Sequence, residues 1–177
     1  IKVDGFKNAA TPIIAASILT KEEVLLHNVP LIEDVKKMIQ ILVSMGAKVN
    51  WMDKNSVKID NSELDPTKID MSLVSAMRSS ILFMGSLLGR FGKIKTKEPG
   101  GCQIGSRSID THLKAFSKLG ADIDFDGKFY HLEKTRPADE EITMSELSVT
   151  GTENMILAAA INQGTVRIRV AAADPSV

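Results

Sequence analysis

The sequence contains one cysteine, Cys102, which excludes an internal disulfide and is typical of a protein kept in a reducing compartment such as the cytoplasm. Its three histidines, His27, His112 and His131, are scattered, so no Cys/His cluster is available for a metal. We expect neither a metal ion nor another cofactor. The formal net charge is zero, and bulk electrostatics therefore indicates no nucleic-acid or membrane-surface partner. The longest apolar runs are far shorter than the roughly 20 residues that span a bilayer.

One arrangement occurs three times: a polar or basic start, an apolar helix, a short turn, a strand and then a proline. The three helices begin at Lys7-Asn8, Arg78-Ser79 and Glu153-Asn154, and the prolines are Pro30, Pro99 and Pro175. An amphipathic helix and two strands follow each of the first two prolines, at 32–45, 47–51 and 57–59 and again at 110–119, 122–125 and 128–132. Between the last two strands, Asp126-Gly127 predicts a type I′ turn.

These copies predict repeats of the order strand, helix, strand, helix, strand, strand (βαβαββ), with residues 57–59 or 68–71 as the first strand of the second repeat. The first helix of each repeat is apolar almost all round, which is typical of a helix buried on all sides. Buried helices surrounded by short sheets give an α/β (α+β) fold in the form of an inside-out barrel. We expect residues 1–177 to form one domain of two repeats and the first half of a third, which continues past Val177.

The stretch 98–107 places Cys102 among three glycines and five residues before Arg107. Its proline and glycines argue against a helix or a central strand and predict a loop. Two interpretations of the cysteine fit: a reactive thiol on an exposed loop, or a small buried hydrophobic side chain. The first repeat has only a short link at the equivalent place, so the loop is an insertion at a repeat junction, which favours a functional role.

Basic side chains stand at the starts of two of the apolar helices. If the repeats are related by rotation, these helix N-termini gather at one end of the domain, where free N–H groups bind anions. Lys7 and Arg78 occupy equivalent positions and, with Arg107, indicate a phosphate or carboxylate site. For each of them alone, a solvated surface charge is the alternative.

Two polar residues near these helix starts have open roles. Thr150 and Glu153 have the spacing of a capping box. The segment 148–151 either merely starts the third apolar helix or also offers hydroxyls and N–H groups to a polar ligand. His112 lies in the first turn of an amphipathic helix, and for it we favour a structural role.

Five segments then carry a resemblance: Lys7-Asn8-Ala9-Ala10, the loop Pro99–Arg107, Asp110 with His112-Leu113, Leu119-Gly120-Ala121, and Ser148-Val149 with Thr152-Glu153-Asn154. Over almost its whole length the chain resembles the UDP-N-acetylglucosamine 1-carboxyvinyltransferase family of enolpyruvyl transferases. The resemblance implies an EPSP-synthase-like domain of three βαβαββ units and a second, similar domain absent from this chain. It also implies transfer of the enolpyruvyl group of phosphoenolpyruvate to the 3′-hydroxyl of UDP-N-acetylglucosamine with release of phosphate, the first committed step of peptidoglycan synthesis.

The resemblance also implies roles for individual residues. Cys102 would be the catalytic general acid, and the target of the epoxide fosfomycin. The substrate-binding residues would be Lys7, Asn8, Arg78, Arg107, Ser108, Ile109, Asp110, Thr111, Ser148 and Val149. Lys7, Arg78 and Arg107 would hold phosphoenolpyruvate. Asn8 would contact the sugar nucleotide, and the segments 107–111 and 148–149 would contact its uridine diphosphate portion.

The chain departs from the family's usual residues in several places. Ser108 stands where proline is usual, and Thr150-Gly151 replaces a Gly-Ala pair of many members.

Two alternatives stay open beside the main prediction. One is a shikimate-pathway enzyme of the 3-phosphoshikimate 1-carboxyvinyltransferase type, which lacks the cysteine loop. The other is a non-catalytic ligand-binding unit, and we expect these 177 residues alone to be inactive.

Overall fold

A computed structural model describes residues 5–100, 108–138, 141–161 and 164–177. Its helices are α1 (Lys7–Ala16), α2 (Glu33–Ser44), α3 (Met71–Ser75), α4 (Leu82–Phe91), α5 (Asp110–Lys118) and α6 (Val149–Ala159). Its strands are β1 (Val24–Leu26), β2 (Lys48–Trp51), β3 (Val57–Asp60), β4 (Lys93–Thr96), β5 (Ala121–Phe125), β6 (Tyr130–Lys134), β7 (Glu141–Thr143) and β8 (Arg167–Arg169). Short 3-10 turns follow α1 and precede α3 and α4.

The centre of the molecule is formed by the three apolar helices α1, α4 and α6, which pack against one another. Helix α4 is buried along most of its length and packs extensively and closely against α6. The absence of a side chain at Gly85 permits this approach, because a Cβ there would lie 2.5 Å from the backbone oxygen of Asn154. The side-chain Oδ1 of Asn154 accepts a hydrogen bond from the Gly85 amide at 2.8 Å. The two helices are therefore joined by packing and by a buried polar contact.

In the described part of the chain, three short sheets surround these helices. The first two are antiparallel and have the same topology, β1-β3-β2 and β4-β6-β5, so in each sheet the strand that comes last in the chain lies between the other two. The third sheet is a parallel pair in which Ile142 of β7 stands opposite Ile168 of β8, with α6 as the connection between them. Strand β7 and helix α6 therefore correspond to the leading strand and the first helix of a repeat.

The amphipathic helices α2 and α5 lie outside the central three. Each buries one apolar face and exposes lysines on the other, and each ends before a glycine in the left-handed region, Gly46 at φ +99° and Gly120 at φ +95°. Glycine adopts this conformation without the steric cost of a Cβ and ends a helix well. The prediction of an inside-out α/β arrangement is confirmed.

Three local predictions were wrong. Residues 68–71 form no strand, since a 3-10 turn ends at Lys68 and α3 begins at Met71. The β5–β6 connection is not a type I′ turn, which needs a positive φ at both central residues. Only Gly127 has a positive φ there. The Asp126 side chain instead accepts hydrogen bonds from the amides of residues 128 and 129. Thr150 and Glu153 do not form a capping box, since the N-cap of α6 is Ser148.

Among the described residues, none of the helices has the length and apolar character needed to cross a bilayer.

Candidate functional site

A polar cleft of about 750 Å³ opens where the N-termini of α5 and α6 meet the turn that leads into α4. Its walls are formed by Arg78, Ser108, Asp110, Thr111, His112, Lys114, Ser145, Glu146, Ser148, Val149 and Thr150. We call this site the polar cleft. Both cations and carboxylates line it, together with several hydroxyl groups, so it suits a ligand that carries negative charge and also has hydrogen-bonding groups.

The first turn of α6 forms one wall. Ser148 is its N-cap, and the serine Oγ accepts a hydrogen bond from the Gly151 amide at 3.1 Å. The amides of Val149 and Thr150 have no acceptor among the residues that the structure describes. Free amides at a helix start attract anions, and the helix dipole adds to this attraction.

Arg78 and the segment before α5 form the opposite wall. The Arg78 Nη2 atom donates to the backbone oxygen of Ser108 at 3.1 Å, and the Ser108 Oγ accepts from the Asp110 amide at 2.9 Å. Ser108 thus fixes the start of α5 where proline is usual in the resembling family. Arg78 is only half-buried, and its guanidinium places a positive charge at this wall of the cleft.

A hydroxyl–carboxylate chain joins α5 to the segment before α6. Thr111 Oγ1 donates to Glu146 Oε1 at 2.7 Å, and Ser145 Oγ donates to Thr111 Oγ1 at 3.2 Å. Thr111 is buried, so its two bonds hold the exposed Glu146 carboxylate against the α5 side of the cleft.

His112 connects the two helix starts that form the cleft. Its ring is 3% exposed, and its Nε2 lies 3.2 Å from the Thr150 Oγ1 of α6. Burial, with a smaller contribution from the positive charge of Arg78, lowers the pKa of His112 to about 4. The imidazole is therefore neutral at physiological pH.

This lowered pKa predicts acid sensitivity. Between pH 6.5 and 4 the unfolded chain binds a proton at position 112 that the folded chain does not, so stability present above pH 6.5 is lost as the pH falls. His112→Gln keeps a hydrogen-bond donor but cannot titrate. From pH 7 to pH 4.5 we expect the free energy of unfolding of this variant to fall by about 2 kcal/mol less than that of the wild type. Urea denaturation at the two pH values measures this. The exposed variant His27→Gln is the control, and equal losses for His112→Gln and the wild type would contradict the assignment.

Glu153 is a second buried ionisable group. It is 5% exposed in α6, and burial, with the negative charge of Asp174 as a smaller cause, raises its pKa to about 7. The nearby segment is attached to α6 by the Ala172 amide, which donates to Thr152 Oγ1 at 2.9 Å. Because a raised carboxyl pKa favours the folded state at low pH, Glu153 opposes the effect of His112 between pH 4.5 and 7.

The predicted site residues fall into four groups. Arg78, Ser108, Asp110, Thr111, Ser148 and Val149 line the polar cleft together. Lys7 and Asn8 are exposed in α1 and do not line it, and Lys7 forms an ion pair with Asp34. Ile109 is buried beside the cleft as the residue before α5. Cys102 and Arg107 lie outside the described residues.

Sequence reasoning missed other members of the polar cleft. Lys114, Ser145 and Glu146 are ordinary exposed polar residues with no distinctive spacing, and only the fold brings them to the cleft. His112 was noticed, but its hydrogen bond to Thr150 crosses between two repeats and could not be read from either one.

A second cavity, of about 460 Å³, lies between the β4-β6-β5 sheet and the turn at Pro66. It is lined by Pro66, Thr67, Met71, Lys93, Ile94, Lys95, Asp122, Ile123, Asp124, His131, Leu132 and Glu133. None of the predicted site residues is among them, so the polar cleft is the better candidate for function.

Comparison with known proteins identifies one family. The family model described as EPSP synthase (3-phosphoshikimate 1-carboxyvinyltransferase) matches residues 1–177. Proteins named UDP-N-acetylglucosamine 1-carboxyvinyltransferase from Campylobacter hominis and Coxiella burnetii are 43% and 42% identical to this chain over its whole length. The chain spans 42% and 41% of the length of these two curated relatives.

Solved structures agree on the fold. The enolpyruvyl transferase NikO from Streptomyces tendae superposes with a TM-score of 0.77 at 18% identity, covering 95% of this chain and 40% of its own. An EPSP synthase from Acinetobacter baumannii gives 0.71 at 15% identity, covering 99% of this chain and 40% of its own. At these identities the likeness concerns the fold.

Proposed function

The chain belongs to the EPSP synthase (3-phosphoshikimate 1-carboxyvinyltransferase) family, and we propose that it forms part of an enzyme that transfers the enolpyruvyl group of phosphoenolpyruvate to the 3′-hydroxyl of UDP-N-acetylglucosamine. The observation that carries this proposal is the polar cleft, where Arg78 and the free amides of α6 face a common space. Whole-chain identity of 42–43% to relatives that bear the corresponding name supports the choice of acceptor.

In this reaction the acceptor hydroxyl adds to C2 of phosphoenolpyruvate while C3 gains a proton. Loss of a C3 proton and of phosphate then restores the double bond in the product. We assign C3 protonation to Cys102, since a placed proton donor is required as positive character builds at C2. Lys7, Arg78 and Arg107 would hold the phosphate and carboxylate of phosphoenolpyruvate, because fixed cations stabilise its charges without reorganisation.

The polar cleft would hold the uridine diphosphate portion of the sugar nucleotide. Ser148 and Val149, with the segment 107–111, would contact the uridine diphosphate portion, and the helix start of α6 favours negative charge there. Asn8 would contact the sugar. Lys7 and Asn8 do not line the cleft in this structure, so in this scheme phosphoenolpyruvate and the sugar lie outside it, toward α1.

The reaction would need a second domain. The chain spans less than half the length of its curated relatives, and the resembling family places the active site between two such domains. We therefore propose that the full-length protein is the enzyme and that the 177-residue chain alone gives no turnover. The full-length protein would act in the cytoplasm in peptidoglycan synthesis, with no metal or other cofactor, and fosfomycin would alkylate Cys102.

A phosphate-release assay on the full-length protein tests this proposal. With phosphoenolpyruvate and UDP-N-acetylglucosamine we expect stoichiometric phosphate and enolpyruvyl-UDP-N-acetylglucosamine, and with shikimate 3-phosphate no product. The shikimate-type enzyme is the alternative, since the family model bears that name. Phosphate release with shikimate 3-phosphate but not with UDP-N-acetylglucosamine would refute the proposal. A failure to release phosphate with either acceptor would also refute it.

A further inference from the structure

We infer that Glu153 forms a buried ion pair with a basic side chain from the part of the full-length protein that lies outside this chain, and that Asp174 shares this cation. The site takes a guanidinium or ammonium group, and the ion pair joins the two parts of the protein. The inference rests on the proposed function in one respect, because it requires the chain to be part of a longer protein.

Glu153 is a carboxyl group in an unusual environment. It lies in the second turn of α6, is 5% exposed, and has no hydrogen-bond or ion-pair partner among the described residues. Both of its neighbours in the helix are bonded, Thr152 Oγ1 to the Ser148 backbone oxygen at 2.8 Å and Asn154 Oδ1 to the Gly85 amide at 2.8 Å. Glutamate is almost never buried to this extent unless it is paired, because an unpaired charge is costly to remove from water.

The segment after β8 brings a second carboxyl group to Glu153. The Ala172 amide donates to Thr152 Oγ1 at 2.9 Å, which holds this segment against the first turn of α6. Asp174 follows two residues later, and its Oδ1 accepts hydrogen bonds from the Ser176 amide and hydroxyl at 2.9 and 2.6 Å. These bonds lower the pKa of Asp174, so its negative charge persists and acts on Glu153.

Two neighbouring carboxyl groups without a cation form an unfavourable arrangement, which one basic group reverses. Like charges disfavour ionisation, whereas a cation between the two acids favours the ionised form of each. A guanidinium suits this place best, because its planar fork offers separate N–H donors to two carboxylates. Within the part of the chain that the structure describes, no lysine or arginine pairs with either acid.

The length of the protein indicates where the cation comes from. This chain spans 42% of the length of one curated relative, so more than half of the full-length protein is available to supply a basic side chain. Asp174 is exposed, and a group from outside this chain can therefore reach the pair. Lys2 and Arg107, the basic residues of this chain that lie outside the described ranges, are the alternative sources.

Thermal unfolding of the full-length protein at pH 8 tests the ion pair through the direction of the change. Glu153→Gln removes one partner of a buried pair and leaves the other uncompensated, so the unfolding midpoint should fall by about 5 °C. Asp174→Asn, at an exposed position, should lower it by about 1 °C. Glu22→Gln, at an exposed position without an ion pair among the described residues, is the control and should change nothing.

Without a cation both changes have the opposite sign. At pH 8 Glu153 would then be a buried, unpaired carboxylate beside Asp174, and removal of either charge would raise the midpoint. An unchanged or raised midpoint for Glu153→Gln would overturn the inference. If Glu153→Gln does not fold, a raised midpoint for Asp174→Asn overturns it equally.

The same measurement at pH 5.5 separates the ion pair from a merely structural loss. Without a cation, burial and then the charge of Asp174 raise the pKa of Glu153 to about 7. Such a group contributes stability that is present below pH 4.5 and is lost as the pH rises through 7, so the wild type would fall relative to Glu153→Gln between pH 5.5 and pH 8. A paired Glu153 is ionised at both pH values, and the difference in midpoint should stay constant. A shift of about 2 °C in favour of Glu153→Gln would overturn the inference.

Double-mutant cycles identify the source of the cation. Lys2→Met and Arg107→Met should each add to Glu153→Gln without coupling, because neither side chain is the partner. Coupling with either one would place the cation within this chain and overturn the assignment to the remainder of the protein.

The unfolding measurements need no substrate, so they are independent of the proposed activity. If the full-length protein releases phosphate with UDP-N-acetylglucosamine but Glu153→Gln raises the midpoint, the inference alone fails. If it releases none but Glu153→Gln lowers the midpoint equally at both pH values, the proposed function fails and the ion pair stands.

Discussion

Replacing Cys102 with serine should lower kcat of the full-length enzyme about 10²–10⁴-fold, the usual contribution of a positioned general acid. A serine hydroxyl occupies nearly the same space but is a far weaker acid than a thiol, so it cannot deliver a proton to C3 at a useful rate. Steady-state phosphate release measures the change. The residue lies outside the described part of the chain, and the expectation comes from its glycine-flanked loop and the family resemblance.

Binding distinguishes this effect from misfolding. The polar cleft is lined by residues 78, 108, 110–112, 114, 145, 146 and 148–150, so Cys102→Ser should bind UDP-N-acetylglucosamine about as well as the wild type. Fosfomycin with the sugar nucleotide should form a covalent adduct on the wild type and none on the variant. A variant with kcat within tenfold of the wild type would rule out the general-acid assignment.

Replacing Gly85 with alanine should destabilise the folded chain by about 4 kcal/mol, the sum expected from overpacking and from loss of a buried hydrogen bond. The new Cβ would lie 2.5 Å from the Asn154 backbone oxygen and 2.6 Å from its Oδ1, so α4 and α6 would have to separate. Their separation would break the bond from the Gly85 amide to Asn154. Urea denaturation followed by circular dichroism measures the loss.

A glycine elsewhere provides the matched control. Gly127 has open space where a Cβ would lie, and Gly127→Ala carries only the strain of its positive φ of +88°. We expect a loss of about 1 kcal/mol there. If Gly85→Ala cost no more than Gly127→Ala, the close packing of α4 on α6 would be wrong.

The mixed charge of the polar cleft fits a ligand bound by hydrogen bonds as much as by ion pairing. Arg78 and Lys114 are offset by Asp110 and Glu146. Amides and hydroxyls at the start of α6 therefore matter more to anion binding than they would in a strongly basic cleft. This balance also accords with a chain whose net charge is zero.

The sequence by itself determined the repeat, the inside-out arrangement and most helices and strands. Apolar helices without a polar face have to be buried, and amphipathic ones such as α2 have to lie outside, whatever the exact packing. Left-handed glycines such as Gly46 and Gly120 end helices by local sterics, which neighbouring residues cannot override. The family resemblance also followed from local segments, because each one is contiguous in the chain.

The tertiary structure alone decided which side chains share a cleft. Arg78, His112 and Thr150 come from three elements, and Lys7, equivalent to Arg78 in the repeat, pairs with Asp34 and does not line the cleft. Ser148, and not Thr150, is the N-cap of α6. The Thr150 side chain therefore contacts His112 instead of capping the helix. Such contacts depend on how helices of different repeats are placed, and periodicity within one repeat contains no information on that placement.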